Sequence, residues 1–127
     1  MSLTNAIEQF GFGLDPIVIR NYVAGFKGGK VLDVTGYTEK YIKAGHVIIK
    51  ETAIETYKPM PVAEGAYASL PEGCEYVGVA VSTVSTAEPF VSIMHTGEVN
   101  DEAMPYAIDS IKDPLKQAVP TLVFNHD

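Results

Sequence analysis

Short runs of β-branched and aromatic residues, each closed by glycine or proline, set the rhythm of this chain. Val31-Leu-Asp-Val34 ends at Thr35-Gly36, and His46-Val-Ile-Ile-Lys-Glu51 follows the turn signal Ala44-Gly45. Ala53-Ile-Glu-Thr-Tyr57 alternates apolar and polar positions, the period of a strand with one wet face. Pro59 and Pro61 follow; proline has no N–H for a ladder, so both belong on an edge or in a turn. Leu70-Pro-Glu-Gly73 reads as a turn, with Pro71 fixing a backbone angle. Tyr76-Val-Gly-Val-Ala-Val81 is apolar without a break, which predicts a strand covered on both faces. Val91-Ser-Ile93 alternates again, and Thr96-Gly97 is expected to turn the chain.

Only the last third carries helical signals. Asn100-Asp-Glu102 would cap a short turn through Ala103 and Met104, either helix or loop. Ser110-Ile-Lys-Asp113 has the spacing of a capping box, with Leu115, Ala118 and Val119 as the inward face of about two turns. Pro120 stops that helix, and Thr121-Leu-Val-Phe124 reads as a closing strand.

The first 30 residues differ. Phe10-Gly-Phe-Gly13 is glycine-rich and expected to be flexible, Asp15-Pro16 marks a turn, and Ile17-Val-Ile-Arg-Asn-Tyr-Val23 reads as a strand before Gly25, Gly28 and Gly29. Two readings stay open: an arm of one strand between glycine hinges, or the ordinary first strand of the domain. A lone strand leaves its backbone unpaired, so in either case it must join a sheet. The chain thus divides into an arm, 1–30, and a β-rich domain, 31–127.

Composition narrows the class. With 127 residues and 46% apolar content, the chain is long enough for one domain with its own core. No run is apolar enough to span a membrane, and the first residues lack the basic and apolar regions of a secretory signal. The net charge is −7, and nine Lys and Arg are scattered rather than clustered, which argues against nucleic acid as a partner. A single cysteine, Cys74, rules out an internal disulfide.

The chemistry-bearing residues do not assemble into a catalytic pattern. His46, His95 and His126 are far apart, and Gly97 between His95 and Glu98 disfavours a helical ligand pair, so no metal is expected. Phe26-Lys-Gly-Gly-Lys-Val31 resembles an anion loop only superficially: Ala24 stands where a P-loop has its first glycine, and Val31 where it has its hydroxyl. Gly11-Phe-Gly13 lacks the third glycine of a dinucleotide turn. Cys74 lies beside Glu75, whose charge disfavours a thiolate, and Ser82-Thr-Val-Ser-Thr86 reads as strand-end hydroxyls. No enzyme and no cofactor is expected. Tyrosines 22, 37, 41, 57, 67, 76 and 106 suit sheet faces and interfaces alike.

From Ile42 onward, roughly two-thirds of the chain resembles the lambda-type head-decoration proteins of tailed phages. The likeness rests on Ala44-Gly-His-Val-Ile48, Tyr57 with its proline-rich loop, Tyr76 to Val81, Val91-Ser-Ile93, Thr96-Gly-Glu-Val-Asn100, the short helix around Leu115 and the closing strand. It implies a mainly β, clip- or barrel-like fold with one or two short C-terminal helices. It implies a homotrimer on the exterior of a mature phage head, in contact with the major capsid protein and cementing the shell. The strand from Ile17 to Val23 would then serve as the capsid-contacting arm, with Ile17, Val18, Ile19 and Tyr22 as the candidate contacts. A head-fibre base is a related alternative, and a small β-barrel enzyme is one of a different class.

Overall fold

From Asp15 the backbone makes one helical turn, α1 (Asp15–Val18), and enters β1 (Ile19–Gly25). The structure is a computed structural model and describes residues 15–26 and 28–125. The glycine-rich Phe10–Gly13, the first residues of the expected arm, Lys27 of the anion-loop look-alike and His126 lie outside the described residues. β2 (Lys30–Val31), β3 (Tyr41–Ile42), β4 (Val47–Glu51), β5 (Thr56–Pro59), β6 (Val62–Ala63) and β7 (Ala66–Tyr67) follow. Then come β8 (Cys74–Ala80), β9 (Val84–Ser85), β10 (Phe90–Val91), β11 (Ile93–Val99), the helix α2 (Lys112–Ala118) and β12 (Leu122–Phe124). The chain is mainly β, with one short helix near the C-terminus.

The main sheet runs in the order β1-β11-β8-β4-β5, and β12 pairs in parallel with β11. Three two-stranded ribbons surround it: β2 with β10, β3 with β9, and β6 with β7. Among the described residues these sheets are open and not closed into a barrel, in keeping with a compact β-rich domain.

Both faces of the central strands are covered, which accounts for the unbroken apolar runs. On β4, Val47 and Ile49 join one cluster with Met94, Leu115 and Leu122, while Ile48 between them joins a second with Ile42, Ala80 and Ile93. β8 divides in the same way, Val79 to the first and Ala80 to the second. The period of two sends successive side chains to opposite faces, and ribbons and helix supply a cover for each. Pro59 falls on β5, at the sheet edge, where the absent N–H costs no ladder bond.

Two local expectations are corrected, and one open reading is decided. Gly97 does not turn the chain: β11 runs through it, with Tyr22 opposite on one side and Leu122 on the other. Its φ is 152°, and a Cβ there would collide with the Asn21 carbonyl oxygen, so the glycine answers the close approach of β1. Near Ala103 there is no helix. Asn100 instead closes a turn, its Oδ1 accepting from the Glu102 amide at 3.0 Å and its carbonyl from Ala103 at 3.1 Å. Finally, α2 has Ile111 at its N-cap and no side-chain cap, because the helix begins one residue too late for Ser110. Ile111, Leu115 and Val119 make its buried stripe, four residues apart, while Ala118 is exposed. Pro114 fits because it sits in the first turn, where amides lack helical partners anyway.

Candidate functional site

The strand from Ile19 pairs within its own chain. β1 lies antiparallel to β11, with register shifts between Ile19 and Asn21, between Tyr22 and Ala24, and between Ala24 and Gly25. Of the two readings open at the sequence level, the described residues therefore match an integral first strand. Arg20 stands 3.9 Å from Glu98 on β11, and Glu98 also accepts from Asn125 Nδ2 at 2.8 Å, so one carboxylate links β1, β11 and the end of β12.

The four candidate contacts separate by burial. Ile17 and Tyr22 are about half exposed (52% and 49%), and Ile19 is half-buried against the core. Val18, at 3% exposure, is a core residue and offers no surface. Its side chain fills the space above Gly45, where a Cβ would collide with it; Gly45 has φ +87°, which favours glycine. Val23, which was not singled out, is more exposed than any of the four, at 58%. Among the described residues β1 pairs with β11 alone, so Tyr22 and Val23 stand on an edge of the described sheet. On the separate ribbon, Val31 of β2 stands opposite Phe90 of β10, and both side chains are exposed.

Three of the hydroxyls weighed for catalysis hydrogen-bond to backbone groups. Thr83 Oγ1 accepts from the Ala44 amide at 3.1 Å, Ser85 Oγ from the Ala87 amide at 3.0 Å, and Thr86 Oγ1 donates to the Lys40 carbonyl at 3.1 Å. His95 lies on β11 rather than in a turn, its Nδ1 2.7 Å from Thr96 Oγ1 and its ring edge-on to Phe26. Among the described residues no group of three His, Cys, Asp or Glu could hold a metal ion.

A second site went unnoticed in the sequence. His46 is wholly buried inside a cage of Tyr37, Tyr67 and Tyr106, with ring centroids 5.5, 5.3 and 5.7 Å away and all three contacts edge-to-face. Its Nε2 lies 2.9 Å from the Met60 carbonyl oxygen and so carries the proton, which leaves Nδ1 as an acceptor with no partner. Burial holds the imidazole pKa down to about 4, against the opposing pull of the Met60 hydrogen bond. Burial also pushes the Tyr37 and Tyr67 hydroxyls well above their ordinary range. The signal was a lone histidine between Gly45 and the apolar Val47-Ile-Ile49, where a strand about to be covered on both faces takes the imidazole inside with it.

The cage borders two adjoining cavities. The smaller, about 260 Å³, is lined by His46, Tyr41 and Lys43; the larger, about 450 Å³, by Asp33, Lys58 and Glu64. Tyr37, Glu39 and Tyr106 line both. In the larger, Asp33 accepts from the Thr35 amide at 3.0 Å, and Thr35 holds its carboxyl below the usual range. The Glu51 carboxylate, 3.0 Å from Lys58 Nζ, raises the lysine.

No protein-family model, curated protein or solved structure matches the chain.

Proposed function

We propose that the protein is a phage capsid decoration protein, a homotrimer that binds the exterior of a mature head through the major capsid protein and stabilises the shell. The observation that carries this reading is the set of exposed apolar side chains at and beside the edge of the described main sheet, Tyr22 and Val23 on β1 and Ile17 on the helical turn before it. Apolar side chains supply area, and an edge strand that accepts a further strand supplies directional backbone hydrogen bonds. The order of glycine turns and strands from Ala44 to Phe124 supports the same reading through its resemblance to the lambda-type proteins. Each copy then contributes a modest contact, and three joined copies turn modest contacts into avidity. Binding only the expanded shell stabilises that state by mass action.

The test is sedimentation of the purified protein with mature and immature heads of its phage, alongside light scattering to obtain its mass. A trimer that pellets with mature heads and leaves immature ones bare is the expected result. A monomer at high concentration that stays in the supernatant with both refutes the proposal.

A further inference from the structure

We propose that the larger cavity is a docking groove for an arginine-bearing segment of a partner protein, the guanidinium meeting Glu39 and Glu64. The groove, about 450 Å³, is lined by the segment 33–39, the end of β5 and the β6–β7 hairpin. Much of its wall is apolar: Tyr37 and Tyr106, with Pro59, Pro61 and Pro71. Its volume lies toward the lower end of the usual range for small-molecule sites, about 300–1,000 Å³, so it takes side chains rather than a folded partner.

Charge selects the occupant. Asp33, Glu39 and Glu64 line the groove against a single lysine, Lys58, and that lysine already stands 3.0 Å from Glu51. No ion pair among the described residues includes Glu39 or Glu64, and both residues are exposed. The Glu39 carboxylate acts on the wall beside it: burial first, and then Glu39, pushes the Tyr106 hydroxyl up. The groove is therefore short of positive charge. Its carboxylates are too dispersed to enclose a metal ion, since no group of three among the described residues could hold one. What fits is a cation carried on an apolar stem. The methylenes of arginine pack on proline and tyrosine surface, its planar guanidinium stacks on a phenol ring, and its fork of N–H donors pairs with carboxylates. Lysine and polyamines lack the flat face and the fork. The inference does not rest on the capsid reading, because no lining residue belongs to β1.

The test is an NMR titration of the full chain labelled with nitrogen-15. The probes are a blocked pentapeptide with arginine at its second and fourth positions and glycine elsewhere, the same peptide with citrulline in place of arginine, and spermidine. Saturable shifts at the amides of Gly36, Tyr37, Gly65 and Tyr106 with the arginine peptide, and binding about tenfold weaker with the other two probes, support the groove. The double variant Glu39→Gln, Glu64→Gln is expected to weaken binding about tenfold. The double variant Glu75→Gln, Asp113→Asn removes the same charge from exposed positions outside the groove, and it is expected to leave binding within about twofold of the parent. All four exchanges are on exposed residues, and cooperative unfolding in urea checks the fold of each variant. The proposal is overturned if the arginine peptide shifts no groove residue, if the citrulline peptide or spermidine binds as well, or if the two double variants weaken binding equally.

Discussion

The Tyr67 hydroxyl stands 3.0 Å from the Val47 amide nitrogen and accepts its hydrogen. The pairing replaces a missing rung. β4 and β5 run in register from Glu51 opposite Thr56 to Ile48 opposite Pro59, so Val47 and Met60 come next. The Met60 amide does donate to the Val47 carbonyl at 2.8 Å, but the Met60 carbonyl is taken by His46 Nε2. Tyr67 fills the vacancy on Val47. Tyr67→Phe removes that acceptor and strands a buried N–H, so unfolding in urea should show a loss of about 1–3 kcal/mol. An unchanged midpoint would mean that the amide finds another partner.

Acid should weaken the fold through His46. Unfolded, the imidazole takes a proton near 6.5; folded, burial delays this to about 4. Around it stand the rings of Tyr37, Tyr67 and Tyr106, and the cavity rim carries Glu39, Lys40 and Lys43. The unfolded state therefore binds more protons between these values. Stability on the order of 3 kcal/mol is fully present above about pH 6.5 and is lost progressively as pH falls through about 4. Urea midpoints measured at pH 7 and pH 4 should differ less in His46→Phe than in the parent; equal slopes in the two proteins would assign the acid sensitivity elsewhere.

Gly97→Ala should damage the sheet where β1 joins it. The backbone conformation alone is expected to cost about 1–3 kcal/mol in a non-glycine residue, and the new methyl must also displace the Asn21 carbonyl. Amide exchange should accelerate in β1 before it does in β4 and β8. Uniform acceleration across the sheet would show that β1 does not respond separately.

The exposed edge offers a separation of stability from association. Tyr22→Asp and Val23→Asp place a charge on surface that is already solvated, so the unfolding free energy should move by no more than about 0.5 kcal/mol. Sedimentation with mature heads should nevertheless fall sharply. A variant that binds undiminished moves the contact away from this edge.

Much of the fold was legible because its signals are local. The turn at Leu70–Gly73, the strands around Val47 and Tyr76, and the helix burying Leu115 and Val119 before its stop at Pro120 follow from period and punctuation, although Ile111 and not Ala118 completes the buried stripe. Gly97 was misread because a glycine needed for a turn and one needed for close strand approach look identical in sequence; only the arrival of Asn21 decides between them. The same holds for Val18, whose burial depends on Gly45, far along the chain. The cage around His46 was invisible for a like reason: Tyr37, Tyr67 and Tyr106 lie on separate loops and a ribbon, and no spacing rule gathers them.

The union of β1 with β11 has a kinetic consequence. Ile19 meets Val99 and Tyr22 meets Gly97, so the first described strand waits for nearly the whole chain before it finds its neighbour. Contacts this remote in sequence are made late and slow the search for the native state. A ribosome-bound chain halted before residue 93 holds Tyr22 and Val23 without the β11 partner, and the pairing with the longest reach in sequence is the one beside this exposed apolar surface.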